Sequence, residues 1–135
     1  MKSIANRLFV FAAFALSLGT FAYGQTTLKA NVPFAFAVPG GPAQAGQYIV
    51  QFENVAGNKI VHISNRKTGR SVLTLSNRLE GNVNAVIAPH MVFRCGEEGC
   101  RLSEIWTARG GYSIPVTHSR NPEYLAYIPL TVFEN

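Results

Sequence analysis

The fold is indicated most clearly by residues 90–106, which read HMVFRCGEEGCRLSEIW. Apolar side chains alternate on both sides of the Gly-Glu-Glu-Gly segment, which is the pattern of two strands joined by a turn. Opposed residues of antiparallel strands lie about 4.5 to 5.5 Å apart, a separation that a disulfide spans. We therefore expect Cys95 and Cys100 to close a β-hairpin with a structural disulfide.

Two other uses of this cysteine pair stay open, namely free thiols and a redox pair. A redox motif would favour two residues between the cysteines, and here there are four. A structural zinc site needs four ligands, and the chain contains only two cysteines.

The disulfide sets the register of the hairpin. It pairs Phe93 with Leu102, Met91 with Glu104 and His90 with Ile105. Phe93, Leu102 and Trp106 then point to the core. Glu104 falls between Leu102 and Trp106 on this apolar stripe, so we consider it a candidate ligand contact. The alternative is that its carboxylate is solvated or salt-bridged at the end of the sheet. A His90–Glu104 acid/base pair is not expected, because the two lie on opposite faces.

The same alternation continues along the chain. It occurs in residues 28–38, 47–55, 59–65, 70–75, 83–88, 90–95, 100–108 and 127–133. Val32, Phe34, Phe36 and Val38 share one face of the first segment. Pro33 cannot donate to a strand ladder, so this segment belongs at a sheet edge or is unpaired on one side at Pro33.

The fold class that follows is all-β. No long stretch has the 3.6-residue period of an amphipathic helix, and Asn121-Pro122-Glu123 supports at most one short helix near the C-terminus. About seven or eight short strands fit an antiparallel sandwich or a small barrel.

The first 24 residues have the composition of a secretory signal. Lys2 and Arg7 flank the start of an apolar run that ends at Ala22, and Ala22 and Gly24 are the small residues expected before a cleavage site. A run of about 15 residues is shorter than the roughly 20 that span a membrane. We expect residues 1–24 to be a signal peptide and residues 25–135 to be a single β-rich domain. The mature protein is then periplasmic or extracellular, without a transmembrane segment.

Composition excludes several functional classes. All seven acids are Glu and the chain contains no Asp, which excludes an EF-hand loop and an Asp-Asp catalytic pair. Without Lys2 and Arg7, ten basic residues stand against these seven acids, a mild positive charge. The tight basic group of Arg66, Lys67 and Arg70 lies at a predicted hairpin tip and is explained as a solvated turn. No nucleic-acid partner is therefore expected.

The histidines do not form a metal-binding pattern. His62, His90 and His118 lie in different segments, without the short spacing that brings two ligands to one face of a helix or strand. We find no catalytic motif either, so we expect no catalytic residue, no metal and no cofactor.

The leading hypothesis is an exported, non-enzymatic β-domain that binds a ligand or is associated with the cell envelope. Tyr48, Glu104, Trp106 and Tyr112 are its candidate ligand contacts. One alternative is a small hydrolase or metal-dependent enzyme that uses Glu104 and a histidine. Another is a carrier of apolar ligands, which requires a barrel with an unfilled interior.

Three motifs extend over most of the mature chain. They are Val32-Pro33-Phe34-x-Phe36, Ala45-Gly46-x-Tyr48, and Leu102-Ser103-x-Ile105-Trp106 followed by Gly110-Gly111. In these positions the chain resembles a group of small exported bacterial proteins of unknown function. The resemblance implies a shared β-domain and supplies no catalytic residue. The Cys-bracketed loop replaces the polar hairpin turn expected in that group, which argues against a redox role.

Overall fold

The computed structural model describes residues 27–79, 88–116 and 120–133, and within these ranges it contains strands but no helix. The strands in chain order are β1 (Leu28–Val32), β2 (Phe36–Val38), β3 (Gly41–Ala43), β4 (Gly46–Val55), β5 (Asn58–Asn65), β6 (Ser71–Leu79), β7 (His90–Gly96), β8 (Gly99–Thr107), β9 (Gly110–Ser113), β10 (Tyr124–Pro129) and β11 (Thr131–Val132). The all-β fold class is confirmed. The described residues contain eleven strands because β2, β3 and β11 are pieces of only two or three residues.

The strands form two layers that are joined into one open sheet. One layer has the order β11-β1-β4-β5-β6, and the other has the order β6-β9-β8-β7-β10. Strand β6 belongs to both layers, because residues 71–76 pair with β5 and residues 77–79 pair with β9. The two ends of this path, β11 and β10, are not paired with each other. The architecture is therefore mostly that of a sandwich rather than a closed barrel.

The core lies between the two layers. Its largest fully buried side chains come from five strands: Val32, Val50, Val61, Met91, Phe93, Cys95, Leu102 and Ile105. Each such side chain contributes about 1.5 to 3 kcal/mol when it leaves water. Alternation in β4 puts Tyr48 and Val50 on the buried side, as the period-2 pattern predicts.

The first predicted strand is divided at Pro33. Strand β1 ends at Val32 and β2 begins at Phe36, because Pro33 has no N–H to continue the ladder. Here the chain leaves the layer of β4, to which β1 is paired, and enters the other layer, where β2 runs parallel to β8. Val32, Phe36 and Val38 are nevertheless all buried, and Phe34 packs partly buried against the same core, so the four side chains predicted to share a face all point to the interior, although from two layers.

Two successive hairpins connect β4, β5 and β6, as predicted. The second turn is organised by Asn65, whose side-chain oxygen accepts hydrogen bonds from the backbone N–H groups of Lys67 and Thr68 at 2.9 and 3.0 Å. The predicted basic group stands at this exposed tip.

Some predicted elements differ or fall outside the described ranges. Residues 120–123 are not helical, and Tyr124 begins β10 directly after them. Of the strand predicted over residues 83–88, only Ala88 lies within the described residues. The signal peptide predicted over residues 1–24 and His118 lie outside them.

The β7–β8 hairpin contains a bulge that alternation did not predict. The disulfide joins Cys95 to Cys100, and the pair Phe93–Leu102 is confirmed. Ser103 is then an extra residue, and the pairing shifts beyond it. The expected pairs Met91–Glu104 and His90–Ile105 are wrong. The pairs that form instead are Val92–Glu104, Met91–Ile105 and His90–Trp106.

The bulge reverses which side chains of β8 face the core. Ile105 is fully buried in the core cluster, whereas Glu104 and Trp106 stand on the outer side of the sheet at intermediate exposure. The expectation that Trp106 points inward is therefore wrong. The same shift removes Glu104 from the apolar stripe.

Candidate functional site

The outer side of β10, β7 and β8 presents three aromatic side chains in a row. Tyr127, His90 and Trp106 come from these three neighbouring strands, and we call this surface the aromatic face. Adjacent strands lie about 4.8 Å apart, so the row extends over about 10 Å. Val92 lies beneath it and is buried although it is outside the core cluster. The aromatic face therefore covers apolar surface of its own.

The indole of Trp106 lies flat on the neighbouring strand β9. It packs over Gly111, its partner in the β8–β9 ladder, where an added Cβ would approach three carbons of the six-membered ring to within 2.6 to 2.7 Å. The indole N–H donates a hydrogen bond to a carboxylate oxygen of Glu104 at 2.9 Å. The ring is thus held from below by glycine and from its edge by a charged acceptor.

The imidazole of His90 lies nearly parallel to the indole. The two ring centroids lie 6.4 Å apart and the rings are 17° from parallel. Nδ1 of His90 lies 2.8 Å from the carbonyl oxygen of Ala88. A carbonyl only accepts, so Nδ1 carries the hydrogen in this contact and Nε2 of the neutral ring is left as an acceptor.

Tyr127 forms the outer end of the row. Its ring centroid lies 5.8 Å from that of His90, at a tilt of 58°. The side chain is 60% exposed. The ring of Tyr127 is therefore tilted against that of His90 rather than parallel to it.

Polar groups border the aromatic face on β8 and β9. Glu104 uses one carboxylate oxygen for the indole, and Ser113 is its ladder partner on β9. On the other side, Arg94 donates from Nε to the hydroxyl of Ser103 at 3.3 Å. The surface thus combines flat rings with hydrogen-bonding groups at the rim.

The structure brings together two of the four predicted site residues, Glu104 and Trp106. Tyr48 is only 4% exposed, packs edge-on against Phe36 and donates its hydroxyl hydrogen bond to the carbonyl of Gln44. It borders a cleft of about 390 Å³ beside β3. Tyr112 is 6% exposed and belongs to the other end of the sandwich. The four residues do not form one site.

Sequence reasoning missed His90 and Tyr127 as parts of the site. His90 entered only as a possible metal or acid/base residue. Tyr127 joins the row because β10 pairs with β7, a contact between segments about 30 residues apart. Alternation predicted a strand over residues 127–133, which overlaps β10, but it does not identify the partner of that strand.

The predicted alternative of a Glu104–histidine enzyme lacks a supporting contact. Over residues 27–79, 88–116 and 120–133, no hydrogen bond or ion pair joins Glu104 to a histidine. In the same ranges no three His, Cys, Asp or Glu side chains are grouped so that they could hold a metal ion.

Searches of protein-family models, of curated proteins and of solved structures returned no match for this chain. The resemblance drawn from the strand and turn motifs stays a prediction. Among the described residues there is no helix with the length and apolar character that crossing a membrane requires.

Proposed function

We propose that this protein is an exported, non-enzymatic β-sandwich that binds a saccharide chain of the cell envelope on its aromatic face. The observation that carries the proposal is the pair of nearly parallel rings of Trp106 and His90 on adjacent strands, with Tyr127 beside them. Rings in this arrangement offer an extended apolar platform.

The chemistry of a pyranose ring matches such a platform. One face of the sugar presents C–H groups that pack on an aromatic ring, while the hydroxyl groups at its edge need hydrogen-bond partners. The rim of the aromatic face provides them: the second carboxylate oxygen of Glu104 and Nε2 of His90 accept, and the hydroxyl of Ser113 accepts or donates. A ligand with an apolar face and a polar edge uses both parts of the surface.

A single-stranded nucleic acid also stacks its bases on aromatic rings, but it needs a cationic groove along its phosphates. The two arginines on the outer side of the hairpin are engaged within the protein. Arg94 donates to Ser103, and Arg101 forms an ion pair with Glu123. A saccharide chain is therefore the better match.

Export supports a ligand in the cell envelope. Disulfides form and persist in oxidising compartments such as the bacterial periplasm, and Cys95 and Cys100 are bridged. Residues 1–24 have the predicted composition of a signal peptide. Both features support export to a compartment in which envelope saccharides are accessible.

The proposal is tested with two matched tyrosine variants of β10. Tyr127 and Tyr124 are 60% and 65% exposed, but only Tyr127 lies on the aromatic face. Chitotetraose and soluble peptidoglycan glycan strands are titrated into the protein, and binding is followed by calorimetry and by the emission of Trp106, the only tryptophan.

Tyr127→Ala is expected to weaken binding by about two- to tenfold, the effect of one aromatic contact, and Tyr124→Ala to leave it unchanged. Thermal unfolding of both variants checks that the fold is retained. Equal losses in the two variants, or no saturable binding of either saccharide to the wild-type protein, contradict the proposal.

A further inference from the structure

A second site lies at one end of the sandwich, where the two layers leave a cleft of about 260 Å³. Its apolar lining comes from both layers and consists of Leu28, Phe52, Pro89, Ala108, Tyr112 and Val132. We call it the end cleft. Tyr112 pairs with the core residue Ile105, whereas Trp106 pairs with Gly111 on the outer side. A ligand in the end cleft therefore does not contact the aromatic face.

Two cations lie at the end cleft. The ammonium group of Lys59 stands 5.4 Å from the ring centroid of Tyr112 and 5.9 Å from that of Phe52. Arg109 lines the cleft from the turn between β8 and β9. Neither Lys59 nor Arg109 forms an ion pair with an acid of the described residues, and no acid is among the residues that line the cleft.

The rings of Tyr112 and Phe52 attract the ammonium group of Lys59 only weakly. A ring attracts a cation through its quadrupole, which is a smaller interaction than a charge-assisted hydrogen bond to a carboxylate. The rings hold the ammonium group at the mouth of an apolar cleft and leave it able to donate hydrogen bonds to an anion. Arg109 adds a second positive charge to the same mouth.

We infer that the end cleft binds a small soluble anion with an apolar body, such as a carboxylate on a short hydrocarbon chain. The argument is charge complementarity, because the described residues that line the cleft include two cations and no acid. The volume lies just below the roughly 300 Å³ at which ordinary ligand pockets begin, so the body of the ligand is short. The hydrocarbon packs against Leu28, Ala108 and Val132, and the carboxylate accepts from Lys59.

The inference is independent of the saccharide proposal and is tested with three probes that share one chain length: octanoate, 1-octanol and octylammonium. Calorimetry gives the affinities, and the methyl signals of Leu28, Ala108 and Val132 in NMR spectra report the location. The variants are Lys59→Met, which keeps an unbranched apolar side chain without the charge, and Lys59→Arg, which keeps the charge. Lys67→Met at the exposed β5–β6 turn is the control for loss of one surface cation.

Octanoate is expected to bind about tenfold more tightly than 1-octanol, and octylammonium more weakly than either. Lys59→Met is expected to weaken octanoate binding about tenfold and to leave 1-octanol binding unchanged, so that octanoate is no longer preferred. Lys59→Arg and Lys67→Met are expected to keep the preference for octanoate. Equal affinities for octanoate and 1-octanol, no saturation by octanoate at millimolar concentration, or signal changes at other methyl groups overturn the inference. Lys59-dependent binding to phosphatidylglycerol vesicles without octanoate binding also overturns it, because the occupant is then a membrane.

Discussion

A methyl group placed on Gly111 tests the contact that orients the aromatic face. The Cβ of an alanine there would lie 2.6 to 2.7 Å from three carbons of the Trp106 ring, well inside van der Waals contact. The φ angle of Gly111 is not positive, so the backbone itself accepts alanine. The methyl group therefore displaces the indole, and we expect Gly111→Ala to reduce the free energy of unfolding by about 1 to 3 kcal/mol, the usual cost of overpacking.

The sign of this effect is expected to reverse when the indole is absent. In a Trp106→Ala background the clash is removed, and alanine is more favourable than glycine in a strand by about 0.5 to 1 kcal/mol. The assay is urea unfolding followed by far-ultraviolet circular dichroism for the wild type, both single variants and the double variant. In Gly111→Ala itself the emission of the only tryptophan should shift to longer wavelength as the ring becomes more solvated.

The double-mutant cycle gives a clear refutation. If Gly111→Ala changes the free energy of unfolding equally in the two backgrounds, the two residues are not coupled and the indole does not rest on Gly111. The Trp106→Ala background serves as the control for any effect of the methyl group on the backbone. Without the coupling, the flat orientation of the ring and the argument for a saccharide platform both fail.

Three further predictions concern stability. The exported protein is expected to have a mass about 2 Da below its reduced value. Reduction of Cys95–Cys100 is expected to lower the free energy of unfolding by only about 2 kcal/mol, because the loop that the disulfide closes is short. Asn65→Ala removes the acceptor of two backbone hydrogen bonds and should cost about 2 kcal/mol in chemical denaturation, with unchanged stability disproving the role of this turn. Glu123→Gln breaks the mostly buried ion pair with Arg101 and should cost about 1 kcal/mol, less at high salt; a salt-independent loss contradicts an electrostatic cause.

Local alternation predicted most of the longer strands, but it missed β3 and β9 and assigned Glu104 and Trp106 to the wrong face of β8. Val32, Phe36 and Val38 are all buried even though the strand is interrupted at Pro33 and its two parts pair in different layers. The reason is that the core lies between the two layers, so the inner face of either layer takes apolar side chains at every second position. The cysteine pair likewise fixed the register close to the turn, where only a few residues separate the partners.

Long-range pairing could not be predicted in the same way. Tyr127 reaches the aromatic face only because β10 pairs with β7 rather than with another strand. The alternation of residues 124–129 is compatible with any edge that offers an apolar face, so it does not select β7. Two residues of the candidate site, Glu104 and Trp106, were therefore predicted from the sequence. The other two, His90 and Tyr127, join the site only through the pairing of the strands.

The bulge at Ser103 has a cause that is present in the sequence. Leu102 and Ile105 are both fully buried, but their separation of three residues places them on opposite faces of a regular strand. Regular pairing beyond Leu102 would instead put Glu104 into the core, where an unpaired carboxylate costs several kcal/mol. One extra residue lets both apolar side chains enter the core and keeps the carboxylate outside. The same displacement turns Trp106 outward, so the aromatic face follows from the burial of Leu102 and Ile105 together.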